Sequence, residues 1–245
     1  MKKALFLVFT LLLVMTSCKK DSQPGKKLAV PQAVDLGIKV NDKIIKWATF
    51  DVGADKPGGE GIFFSWGELA AKDEYGWNHY QFGVPDTYKV TRYCPGDKAA
   101  SWGGSGSPDG MSVLQSADDV ARQRIGKKWR MPTFDEIKAL LDTRTNPEYE
   151  WKFDEENGVN GFWVISMKAG TEGNRIFLPF SGSISSGGTP QSAGTGCCYW
   201  SSTLDSSEPS RAYCLYTSHY SNGEERIGWG SNNRGQGFVV RPVCE

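Results

Sequence analysis

Glycine punctuates this chain. It accounts for 29 of 245 residues and is joined by 12 prolines. Glycine frees the backbone for tight turns, and proline withholds an N–H from any strand ladder. A chain interrupted this often builds short strands and turns rather than a helical bundle. The 9 Trp and 9 Tyr supply the aromatic packing that such a fold needs. Composition thus points to many turns, short strands and aromatic packing.

The first residues are of a different kind. Lys2 and Lys3 precede an apolar run from Ala4 to Val14, broken only by Thr10, and Met15-Thr16-Ser17-Cys18 follows. The run falls well short of the roughly 20 apolar residues a spanning helix requires. The pattern resembles a bacterial lipoprotein signal, with Met15 where Leu is usual. On that resemblance residues 1–17 are a signal peptide and Cys18 is acylated as the mature N-terminus. Residues 18–32, polar and carrying Pro24-Gly25, read as a flexible tether, and residues 33–245 as one domain.

Removing Lys2 and Lys3 with the leader takes the 28 basic residues to 26, against an unchanged 28 acids. No basic field remains to hold a nucleic-acid backbone, so nucleic acid is not expected as a partner. Five cysteines accompany Cys18: Cys94, Cys197, Cys198, Cys214 and Cys244. Export permits disulfides, an odd number leaves at least one thiol, and neighbours 197 and 198 point to opposite faces of a strand. A Cys214–Cys244 link is one pairing among those open.

Along the domain, 33–36 and 44–49 read as the first strands. Residues 94–112, with Pro95-Gly96 and Trp102-Gly103-Gly104, read as a long loop. A first short helix is expected from Ser116 as N-cap to Gly126. A second opens at Thr133, where Thr133 and Glu136 form a capping box and Ile137, Leu140 and Leu141 give a buried stripe. Further strands are expected at 161–167, 175–180, 199–203, 211–217 and 237–244. The intervening Ser181–Gly196 is rich in Gly and Ser and reads as an exposed loop.

Several motifs occur together. They are Trp129-Arg130-Met131-Pro132-Thr133, Tyr199-Trp200-Ser201-Ser202 and Gly237-Phe238-Val239-Val240-Arg241-Pro242-Val243. Upstream stand Val34-Asp35-Leu36-Gly37, Lys46-Trp47-Ala48-Thr49 with Asp51-Val52-Gly53-Ala54, and Phe64-Ser65-Trp66-Gly67-Glu68. In this order they resemble the Fibrobacter major paralogous domain family of exported lipoproteins from Bacteroidetes-type bacteria. The resemblance covers roughly 33–245 and implies an α+β, C-type-lectin-like fold, with small mixed antiparallel sheets, two short helices and long loops. In that fold the two ends share a sheet, two helices flank it, and a second small sheet carries long loops. It also implies a lipid-anchored protein of the outer membrane, exposed at the cell surface. In some relatives of the fold the C-terminal face binds ligand, and in certain bacterial and phage relatives a retroelement diversifies that face. Relatives often carry Cys where Phe50 stands, so that pairing is absent here and Cys244 is left without it. No catalytic residue set accompanies the family.

The residues themselves place binding at 218–236, polar and glycine-rich yet holding Tyr220 and Trp229. Tyr, Trp, Asn and Gly suit adaptable recognition, including sugars, whose C–H faces pack on aromatic rings. The candidate ligand-binding residues are Tyr199, Trp200, His219, Tyr220, Asn222, Trp229, Asn232, Asn233, Arg234 and, in the long loop, Trp102. The ligand is an unidentified glycan or protein. Trp129, Arg130 and Arg241 read as scaffold, since a buried Arg orders loop carbonyls with its fork of donors. Calcium needs several converging oxygens. Glu208-Pro209-Ser210 lacks the second amide or acid of lectin triplets, which leaves calcium open but unsupported, with no other cofactor or metal expected. For catalysis, Cys214 and His219 can be drawn as a pair, but no third partner is evident. The alternatives to a binding module are a subunit of a surface complex and an oxidase resembling the formylglycine-generating enzymes.

Overall fold

The computed structural model describes residues 27–103 and 109–245. The leader, Cys18 and most of the tether lie outside the described residues. Among those described, no helix is long and apolar enough to cross a membrane.

The architecture is α+β, with three antiparallel three-stranded sheets. The first joins β1 (Ala33–Val40), β2 (Lys43–Ala48) and β9 (Val243–Cys244), so it gathers strands from opposite ends of the domain. Asn41 and Asp42, at φ 51° and 61°, make the two-residue turn between β1 and β2. Gly37, at φ +76°, sits where the β1–β2 register shifts between Asp35 and Lys39, and the Asp35 carboxylate accepts its N–H at 2.7 Å.

The second sheet orders β3 (Tyr149–Glu156), β4 (Val159–Ser166) and β5 (Arg175–Pro179). The third orders β6 (Gly196–Leu204), β7 (Arg211–His219) and β8 (Glu225–Asn233), with β8 on its edge. Strands β3 and β8 are additions to the sequence expectation. Tyr149, Trp151 and Phe153 alternate with charged residues in β3, and Asn157-Gly158 (φ 54° and 81°) closes its hairpin with β4.

The expected strand at 237–244 is not continuous, and only Val243–Cys244 joins a sheet. Residues 237–242 instead thread the interior and bond a different segment at nearly every step. Gly237 N–H donates to Ile184, Phe238 to Phe64, and the Val240 carbonyl accepts from Val52. The Val239 carbonyl accepts from Trp200 and that of Pro242 from Ala48. Pro242 has no N–H to extend a ladder. The thread carries Val239 and Val240, both with no exposed surface, between the two large core clusters.

Helix α1 (Ala99–Trp102) is one turn within the 94–112 loop. Helix α2 (Val120–Arg124) begins later than expected and is capped by Asp119, not Ser116. The Asp119 carboxylate accepts from Arg122 N–H at 3.1 Å and from Met131 N–H at 2.9 Å, so it ties the cap to the next segment. Burial holds this carboxyl above its ordinary range despite those bonds. Helix α3 (Phe134–Asp142) has the full Thr133/Glu136 capping box, with Ile137 and Leu140 buried. Glu136 also pairs with both terminal nitrogens of Arg130, at 2.7 and 2.6 Å. Replacing Thr133→Ala removes one half of the box and should cost about 1 kcal/mol in urea unfolding. An unchanged midpoint would mean that Arg130 and Glu136 alone fix this helix start.

The cysteines among the described residues are free thiols. The Cys214–Cys244 link is therefore corrected. Cys244 pairs with Lys46 in the first sheet, whereas Cys214 lies in the middle strand of the third, beside Gly230 and Asn232.

Candidate functional site

The β7–β8 hairpin presents two faces. On one, Leu215 lies opposite Trp229, and Thr217 opposite Ile227. Leu215 and Ile227 are buried, and this face meets α3. Because β8 is the edge strand, the α3-facing row ends in an incompletely covered ring, and Trp229 is 50% exposed. Phe134, the first residue of α3, stacks on Tyr213 with centroids 3.9 Å apart and rings nearly parallel. It also meets Trp229 edge-on at 4.9 Å. Three rings thus fix one another before any ligand arrives.

An open depression of about 390 Å³ lies against this cluster, lined by Trp229 and by Asp135, Lys138, Ala139, Leu141, Asp142 and Thr145. Lys138 sits 4.8 Å above the Phe134 ring and 2.8 Å from the Asp135 carboxylate. The hydrogen bond that Lys138 donates to the Asp135 carboxylate raises its ammonium above the ordinary range, so it is charged at neutral pH. The depression thus combines a rigid aromatic wall with polar groups on the adjoining helix. A second cleft of similar volume lies between the β3–β4 hairpin and the 181–196 loop, lined by Phe63, Val159, Asn160, Phe180 and Pro190. Of its two rings Phe180 is almost fully buried and Phe63 is half-buried, and neither is as exposed as Trp229.

The residues expected from the sequence fall in different environments. Trp229 and Tyr220 are exposed aromatics; the Arg226 guanidinium covers the Tyr220 ring at 5.4 Å. Asn222 and Asn233 shape turns, accepting the N–H of Glu224 at 3.0 Å and of Gly235 at 2.9 Å. His219 is stacked on Phe153 at 3.8 Å and faces Glu225 at 3.4 Å. Asn232 donates to the Cys214 sulfur at 3.1 Å. Trp102 ends α1 and its carbonyl accepts from Val90 N–H at 2.7 Å, in the loop layer apart from the hairpin.

Three residues are corrected outright, because they are interior and cannot meet a ligand. Trp200 has no exposed surface, stacks on Phe238 at 4.1 Å and donates its indole N–H to the Phe64 carbonyl at 2.8 Å. Tyr199 is 1% exposed, with its hydroxyl on the Pro179 carbonyl at 2.7 Å. Arg234 has no exposed surface, and its bonds hold loops together. Each sits in a polar, aromatic-rich stretch, yet its neighbours in space are backbone carbonyls that need donors.

The Cys214–His219 pair is also separated. Register places the two side chains on opposite faces of β7, and the Cys214 sulfur is engaged by Gly230 and Asn232.

The residues that sequence reasoning missed are Phe134, Tyr213 and Lys138. Phe134 carries a usable signal: an aromatic at the first position of a capped helix, three residues before Ile137 and seven before Leu141, at the rim of the apolar face. Compared with protein-family models, curated proteins and solved structures, the chain matches none.

Proposed function

We propose that this chain is an exported, lipid-anchored binding module of C-type-lectin-like fold, displayed on the outer membrane, and that it binds a glycan at the Trp229 depression. The sharing of one sheet by β1, β2 and β9 supports the fold, as does the display of a hairpin on a separate sheet. The leader ending at Cys18 supports the anchor. The observation that carries the binding reading is the half-exposed Trp229 ring, pre-set by Phe134 and Tyr213 beside a polar depression. Sugar C–H groups pack on such a ring, while Asp142, Thr145 and Lys138 offer acceptors and donors for hydroxyls. Rings that are already fixed lose little freedom on binding.

A glycan array probed with the purified protein tests this reading. Trp229→Ala should weaken the recognised glycan about tenfold or more, the effect of losing one well-packed aromatic contact. Tyr220→Ala should have a smaller effect, because its ring is already covered by Arg226. Unchanged binding in the Trp229 variant would move the site elsewhere. Binding to a protein ligand alone would retain the surface and reject the glycan.

A further inference from the structure

The other face of the third sheet carries a feature with no part in the binding reading. Cys198 lies opposite Tyr216, and Trp200 opposite Cys214, so Cys198 and Cys214 are diagonal neighbours on one face of adjacent strands. The two thiols act on each other across the strand pair, which pushes the Cys198 thiol up and the Cys214 thiol down. Asn232, on the third strand, donates its amide to the Cys214 sulfur at 3.1 Å. Cys197, next in sequence, faces the opposite side and is buried in the other core cluster. Strand β8 carries Gly228 and Gly230 here; a Cβ at Gly228 would lie 2.6 Å from the Tyr216 hydroxyl, so the Tyr216 ring lies over β8 itself. Cys198 is half-buried and Cys214 has no exposed surface, which gives the pair an outer and an inner member.

We propose that Cys198 and Cys214 form a modification site that takes a cross-strand disulfide by exchange with a disulfide donor. The Cys198 thiol, the member that reaches solvent, gives up a proton that burial and the Cys214 contact hold more tightly than usual, and its sulfur attacks one sulfur of the donor. The donor's S–S bond breaks, a mixed disulfide with Cys198 forms, and the departing donor sulfur takes up the proton Cys198 has lost. The sulfur of Cys214 then attacks Cys198, the mixed disulfide breaks, and the second donor sulfur leaves as a thiol with the Cys214 proton. The two thiols lose two electrons and two protons in total, and the donor is reduced to two thiols. The inner sulfur is suited to the second step. The neighbouring Cys198 thiol and the amide that Asn232 donates hold the Cys214 thiol below its ordinary range.

The test is a titration of the reduced, full mature protein with oxidised glutathione, followed by alkylation and non-reducing peptide mapping. The expected product joins the peptide containing Cys198 to that containing Cys214, with Cys94, Cys197 and Cys244 still alkylated. Cys197→Ser should retain the link, and Cys198→Ser should abolish it. The oxidised form should melt at a higher temperature than the reduced form, since the link closes a loop across a formed hairpin. A stable glutathione adduct on Cys198 with Cys214 still alkylated would overturn the proposal. So would a link through any other cysteine, or alkylation of all five thiols after exposure to the donor. Glycan binding is read separately and plays no part in the result.

Discussion

Arg241→Ala should lower stability by about 3–5 kcal/mol, a large share of the total for a domain of this kind. Arg241 is 1% exposed, and its Nε donates to the Asp51 carboxylate at 2.7 Å. Its terminal nitrogens reach the Ala48 carbonyl at 3.2 Å and the Phe177 carbonyl at 2.7 Å. One side chain therefore joins β2, β5 and the central thread. Removing it leaves a buried carboxylate without its cation and two carbonyls without a donor. With a urea dependence of about 2 kcal/mol per M, the midpoint should fall by about 2 M. Arg241→Met combined with Asp51→Leu should recover only part of the loss, because the Ala48 and Phe177 carbonyls still lack donors. An Arg241→Ala midpoint within error of the parent would show that the pair contributes nothing net.

Arg234→Ala should be of comparable size, about 4 kcal/mol, by a different route. No carboxylate is among the groups to which it donates. Its Nε donates to the Tyr80 hydroxyl at 2.9 Å, and its other nitrogens to the carbonyls of Tyr93, Pro209 and Arg92 at 3.2, 2.7 and 2.9 Å. The guanidinium lies 4.8 Å from the Trp66 ring, 5.2 Å from Tyr80 and 5.9 Å from Tyr93. Burial pushes the Tyr80 phenol well above its ordinary range, against the pull of Arg234. The phenol stays protonated, donating to the Trp66 carbonyl at 2.8 Å while it accepts from Arg234. The carbonyls of residues 92 and 93 belong to loops that no sheet supports, so the loss should be locally visible. Limited proteolysis of Arg234→Ala should cut near residues 84–96 before the rest of the chain. Arg234→Lys should recover little, because one ammonium cannot serve four acceptors in a plane. Protection of that loop equal to the parent's would remove Arg234 from its support.

These two arginines show where sequence reasoning reached and where it stopped. Arg241 is legible as scaffold because it follows a run of apolar residues. Arg234 stands among Ser, Asn and Gly and reads as surface, yet the thread that follows draws it inside. The helix at Thr133 is legible because a capping box is local chemistry. The cap of α2 is not, because Asp118 and Asp119 both suit the position and distant groups decide between them. Asp118 is taken by Arg92 and the Tyr93 hydroxyl, and Asp119 by the Met131 N–H. Strand β3 is missed because its acidic end resembles a solvated turn, although its aromatics alternate with charges and Asn157-Gly158 closes its hairpin. Strand β8 is hidden by its glycines, of which Gly228 leaves room for the ring of Tyr216 from the neighbouring strand. Phe134, Tyr213 and Trp229 come from three separate elements, so their cluster is a product of topology that no local pattern encodes.

The central thread also carries a kinetic consequence. Val239, Val240 and Val243 have no exposed surface, and Trp47 pairs with Val243 across nearly the whole length of the domain. A nascent chain still waiting for these residues cannot close its core, however complete its hairpins. Such distant pairing slows folding and leaves the chain open until synthesis of the domain is finished. That delay would keep the polypeptide threadable through a narrow translocation channel, as the proposed export route requires.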